Sequence, residues 1–229
     1  MLFAGTELGM YISWNGGKQW QSFQLNLPIT PITDLKVSHD DLSVATMGRS
    51  FWILDDLGLI RQFEGNDKSF ALLQPEDAVI GNWESQLNSN SDTFNGTDDS
   101  QGVNPANGVV FYYYLPTATK DKELTLEIKD KDGNLVRTIS SKTNPDYLKY
   151  PGGPSPEPLL SNKVGLNRFV WDMRYNSLSG IPTAYIEGSF KGHKALPNAY
   201  TATIKQEDQL SNVPFNILPN PLYNITNEE

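Results

Sequence analysis

The chain has 229 residues, enough for one large core or two smaller ones. Its 27 acidic residues outnumber 18 basic ones, and the formal charge of -9 repels phosphate backbones and anionic lipid headgroups, which argues against nucleic acid or a membrane surface as partner. The absence of cysteine excludes a disulfide framework, thiol catalysis and thiolate metal sites, and no run of 18 apolar residues is present to cross a bilayer as a helix.

Ten Tyr, ten Phe and five Trp favour pleated, half-buried surfaces. No stretch of a dozen residues carries apolar positions at helical spacing, whereas period-2 runs recur, so the fold class is read as all-β. In chain order, strands are expected at Leu2 to Thr6, Gly9 to Ser13, Trp20 to Leu25, Thr33 to Ser38, Leu42 to Thr46 and Phe51 to Leu54. Together they make one blade-like unit over residues 1–62. A strand so close to residue 1 reads as the continuation of a longer chain. Residues 63–103 are expected to be linker and polar loop, with Ser69 to Gln74 able to add an edge strand. The tract from Glu84 to Gly102 is almost wholly polar and offers little apolar surface to offset the entropy of ordering.

A second domain is expected over 104–218. Gly108 to Pro116 is apolar on both faces, as in a strand lying between two layers. Leu124, Leu126 and Ile128 alternate with polar residues, and Asp132-Gly133 turns the chain into a returning strand, Asn134 to Ser140. Thr143 to Pro158 holds five Pro and two adjacent Gly and must be a surface loop. Alternation resumes at Phe169, Trp171 and Met173, at Tyr200, Ala202 and Ile204, and at Val213, Phe215 and Ile217. Six or seven such strands suggest an immunoglobulin-like β-sandwich. The tail, 219–229, is expected to lead into a further domain.

The sharpest local signal is Ser13-Trp14-Asn15-Gly16-Gly17-Lys18-Gln19-Trp20. The Ser13 and Asn15 side chains can bond turn backbone, Gly16 and Gly17 open conformations closed to other residues, and Trp20 is expected to close a small core. This string resembles the Asp-box, or bacterial neuraminidase repeat, S-x-D-x-G-x-x-W, with Asn15 where Asp is usual; Ser13, Asn15, Gly17 and Trp20 match it. The strings AGTELGMYISWNGGKQW and GRSFWILDD look like a blade of glycosyl-hydrolase-like Asp-box propellers related to sortilin-type and xyloglucanase-type proteins. NPANGVVFYYYLP, GLNRFVWDMRY and LPNAYTATI resemble the Ig-like domain that follows such propellers.

The resemblance implies an exported bacterial protein, secreted, periplasmic or in the cell envelope. This chain would be a non-catalytic structural or docking module, partnered by the remaining blades of the same polypeptide. It also implies two other readings: part of a glycoside hydrolase whose site lies in other blades, or a module binding a carbohydrate or protein ligand. Glu7 and Arg49 are the residues that would face a propeller channel, with an inter-strand or inter-blade ion pair as their plainer role. Asp55 and Asp56 are adjacent, point to opposite faces and cannot pair as acid and base. His39 and His193 have no nucleophile signature near them. Tyr113 and Tyr114 are candidates to bind a sugar face, while Trp171 falls in phase with core positions. Asp92, Asn95, Asp98 and Asp99 lack the spacing of a calcium loop, and no metal or cofactor is expected. Asn95-Gly96-Thr97 and Asn224-Ile225-Thr226 match a glycosylation sequon that has meaning only in a host that reads it.

Overall fold

The computed structural model describes residues 1–62, 69–81, 106–117, 122–181 and 189–222. Among the described residues the structure is all-β but for one short helix, and the chain divides into two units, Met1–Asp67 and Lys68–Glu229. The polar tract with Asp92, Asn95, Asp98 and Asp99, and both sequons, lie outside the described residues.

In the first unit, β1 (Leu2–Thr6), β2 (Gly9–Ser13) and β3 (Gln21–Ser22) form one antiparallel sheet. A second antiparallel sheet is formed by β4 (Ile32–Ser38), β5 (Asp41–Thr46) and β6 (Phe51–Leu54). The expected single blade is thus two three-stranded sheets. Pro28 and Pro31 lie between β3 and β4, and a residue without an N–H cannot carry a ladder from one strand to the next. The Gln24 side chain organises the break, accepting from the Met10 N–H at 3.2 Å and donating to the carbonyls of Leu27 and Pro28, each at 2.9 Å. The two sheets close on each other where Gly5 of β1 faces Ile32 of β4. Met10, Leu27, Leu42, Val44 and Leu57 fill the space between, with Phe3, Ile32, Leu35 and Trp52 packed around them.

The helix α1 (Leu57–Gln62) departs from the all-strand expectation; six residues are too few to register as a helical period. It is fixed at its start. The His39-Asp40 loop joining β4 to β5 has positive φ at both residues, 52° and 73°, the geometry of a tight two-residue hairpin. From that loop the Asp40 carbonyl accepts the Leu57 N–H at 2.7 Å, and the Asp40 carboxylate accepts from Gly58 and pairs with Arg61. Asp56, between β6 and α1, accepts the Leu59 N–H at 3.2 Å as a cap.

Burial raises the Asp56 carboxyl above its ordinary 3.8; the Leu59 N–H opposes this, and the carboxylates of Asp40, Asp41 and Asp55 add to it. The folded state therefore favours protonated Asp56. Its contribution to stability is complete below pH 3.8 and is lost as pH rises through the raised value. Asn caps as well as Asp, so Asp56→Asn is expected to be at least as stable as wild type at pH 7, with a flatter dependence between pH 3.8 and neutrality. Thermal melts across that range check it, and an unchanged pH profile would contradict it.

In the second unit, β10 (Thr125–Asp130), β11 (Leu135–Ser140), β13 (Asn198–Gln206), β14 (Gln209–Leu218) and β8 (Ala78–Val79) form a sheet ordered β11-β10-β13-β14-β8. A smaller sheet orders β12 (Gly165–Trp171), β9 (Val109–Leu115) and β7 (Ala71–Leu72) as β12-β9-β7. Alternate side chains of both sheets share one core, in which Phe111, Trp171, Tyr200 and Phe215 meet in edge-on and stacked contacts with centroids 5.4–6.1 Å apart. The unit is therefore a two-sheet sandwich.

The segment at 69–81, expected to be mostly linker, belongs to this unit. β7 extends the small sheet and β8 runs parallel to β14, while the Asp77 carboxylate accepts from the Asn216 backbone and side chain at 3.0–3.2 Å. Two-residue strands fall below the length at which alternation can be read.

Candidate functional site

The turn after β2 is built by its own side chains. Ser13, fully buried, accepts the Gly17 N–H at 2.8 Å and donates to Asn15 Oδ1 at 3.2 Å; that oxygen also accepts the Gln19 N–H at 2.9 Å. Gly16 and Gly17 take φ of 70° and 91°, which L side chains avoid. Trp20 corrects the expectation: the residue is 45% exposed and belongs to neither core, its ring lying over Gly17 of its own turn. What this turn does chemically is hold β2 against β3, through the bonds of Ser13 and Asn15.

Glu7 lies exposed in the tight β1–β2 turn, which is ordered by Thr6 Oγ1 bonding to the Gly9 carbonyl at 2.9 Å. Arg49 lies exposed in the β5–β6 turn, where its N–H donates to Thr46 Oγ1 at 3.2 Å and its carbonyl accepts the Trp52 indole N–H at 2.8 Å. Neither side chain forms an ion pair among the described residues, which leaves the inter-blade form of the expected pair untested.

Arg49 instead borders a surface that single-residue inspection of the sequence misses. The β5–β6 register places Leu42, Val44, Trp52 and Leu54 on the core side and Ser43, Ala45, Phe51 and Ile53 on the other. That second side is open: Phe51 is 81% and Ile53 65% exposed, and Met47, beside Arg49 in the turn, is 66% exposed. A strand apolar on both faces is the pattern of one covered on both faces. The signal was present in the string FWIL, which has no polar position to mark a solvent side.

The two tyrosines part company. Tyr113 is fully buried, its hydroxyl donating to the Ser161 carbonyl at 2.7 Å, and burial drives its pKa upward against that bond. This corrects its reading as a sugar-binding residue, since no ring face is left to stack on. Tyr114 points to the other side of β9, in a row with Val110 and Tyr112 and beside Leu166, Arg168 and Val170 of β12. His193 stacks on Tyr175 with centroids 4.1 Å apart, and His39 contacts Ser38 at 3.0 Å, so each is engaged with a neighbour rather than with the other.

No protein-family model matches the chain, and no curated protein matches it. A structure of PorZ, an essential bacterial surface component of the type-IX secretion system of Porphyromonas gingivalis, is similar over 94% of this chain at 12% identity, with a TM-score of 0.24. The chain spans 28% of the length of that protein, and a score at this level does not establish a common fold. Among the described residues, no helix is long and apolar enough to cross a membrane.

Proposed function

We propose that this chain is a non-catalytic structural and docking module of an exported bacterial protein built from Asp-box propeller blades. In this reading the outer face of β4–β6 stacks on a further β-sheet layer of the same polypeptide, and the second unit is an immunoglobulin-like sandwich that serves as a spacer. The observation that carries it is the uncovered pair Phe51 and Ile53 on an edge strand whose opposite face is already in a core. The Ser13–Asn15–Gly17 turn agrees with an Asp-box, whose part is architectural.

Magnitudes favour a covalently attached occupant over a separate one. Burying Phe51 and Ile53 contributes about 1.5–3 kcal/mol each. An association cost of about 4–15 kcal/mol consumes that between free molecules. A neighbouring sheet on the same chain is held at an effective concentration that removes most of this cost. Pairing of a second backbone with the free edge of β6 adds to the gain.

The test compares one double substitution in two settings. In the 229-residue chain, Phe51→Ser with Ile53→Ser changes exposed positions only and is expected to move stability by at most about 0.5–1 kcal/mol. In the natural gene product the same pair is expected to cost about 3–6 kcal/mol, because there the side chains are covered. Equal, small effects in both settings would sink the proposal.

A further inference from the structure

The second unit contains a cavity of about 420 Å³ at the open side of its sandwich, between β11 of the large sheet and β12 of the small one, two strands that each end their sheet. The Gly152–Pro158 segment roofs it. Its size falls in the lower part of the roughly 300–1,000 Å³ range of small-molecule sites.

The floor holds a buried cation. Arg137 lies on the same side of β11 as the core residue Ile139, and its side chain is only 6% exposed. Arginine carries five N–H donors. Here the bonds made are to the Tyr175 carbonyl and to the Glu157 carboxylate, and the guanidinium borders the cavity. No Arg137 nitrogen is both buried and unbonded, so the Nε–H, which bonds to no described group, keeps accessible area. Glu157 itself is 46% exposed and rides on the proline-rich roof, so the counter-charge sits in the half of the pair that faces water. A second cation, Lys191, lines the same cavity and forms no ion pair among the described residues. The lining between is mixed: Pro154, Pro156 and Phe190 are apolar, and Ser155, Ser177, Ser189 and the carboxylate of Asp172 are polar.

A pin for the roof would need one carboxylate and no space. The arrangement here has a guanidinium with donors beyond its two bonds, an ammonium on Lys191 and apolar patches of Pro154, Pro156 and Phe190 around an open volume. We propose that this cavity binds a small organic acid with an apolar body: its carboxylate meets Arg137 and Lys191, and Glu157 is the internal anion that it displaces. This goes beyond the docking role of the first unit and does not depend on it, because every group involved belongs to the second unit.

Calorimetric titration of the 229-residue chain with phenylacetate, acetate and inorganic phosphate at pH 7 tests it. Phenylacetate is expected to bind more tightly than acetate, which lacks the apolar body, and more tightly than phosphate. Removing the competing carboxylate by Glu157→Gln is expected to tighten phenylacetate binding by about tenfold, the worth of one charge-assisted hydrogen bond. Arg137→Met is expected to abolish binding and Lys191→Met to weaken it several-fold, with circular dichroism confirming the fold. Should Arg137→Met fail to fold, the exposed-side substitutions at Glu157 and Lys191 still decide. No heat from phenylacetate with either wild type or Glu157→Gln would overturn the proposal. So would binding unchanged or weakened by Glu157→Gln, indifferent to Lys191→Met, retained by folded Arg137→Met, or no tighter for phenylacetate than for phosphate or acetate.

Discussion

Trp171→Ala is expected to destabilise the second unit by about 4 kcal/mol, the usual cost of emptying a large aromatic site in a core. The indole is 1% exposed and meets Tyr200 and Phe215 edge-on, each at 6.1 Å between centroids. Truncation therefore leaves a void lined by aromatic edges that cannot collapse into it, since Tyr200 is itself tethered by its hydroxyl to the Leu196 carbonyl at 2.6 Å. It also orphans a polar group: the Trp171 indole N–H bonds the Arg174 carbonyl at 2.9 Å, and that oxygen loses its donor. Against a total stability of about 5–15 kcal/mol for a domain, the loss is severe. Scanning calorimetry should place the transition of this unit about 10 °C lower, and a shift of only a degree or two would contradict the packing described.

Gly5→Val is the corresponding test of the first unit. A Cβ at Gly5 would lie 2.5 Å from Ile32 Cγ2 and 2.8 Å from its Cβ, with Leu35 Cδ1 at 3.5 Å behind. The first two are inside the repulsive range, and Ile32 is β-branched and stiff, so it cannot swing away cheaply. Valine would wedge β1 from β4, the line along which the two small sheets close over Met10, Leu42 and Val44. Overpacking of this kind costs about 1–3 kcal/mol, and the small core of this unit puts the expected loss at the upper end. Calorimetry again reads it out. A Tm unchanged by Gly5→Val would contradict the close approach of β1 to β4 described for this unit.

What the sequence made legible, it made legible through alternation and turn chemistry. The bounds of β1, β2 and β6 coincide with the expected strands because glycine or polar turn residues mark their ends. Trp171 was readable as core because polar neighbours fixed its phase. Phase was unreadable where every residue is apolar: in VVFYYYL nothing indicates that Phe111 and Tyr113 point inward while Tyr112 and Tyr114 point outward. The split of the first unit into two sheets depends on tertiary closure of β1 on β4, for which a linear pattern has no symbol. Arg137 was invisible for the opposite reason. A charged residue in a strand reads as a solvent position, and the partners that accompany its burial, the Tyr175 carbonyl and the Glu157 carboxylate, come from distant parts of the sequence.

The docking account is tested most directly by hydroxyl-radical footprinting of Phe51 and Met47, in the 229-residue chain and in the natural gene product. Both side chains are open in the chain, so strong labelling is expected there. In the natural gene product the account predicts labelling reduced several-fold at Phe51, with an exposed leucine of the second unit, such as Leu148 or Leu210, unchanged as the internal reference. Equal labelling of Phe51 in the two would mean that nothing covers the face.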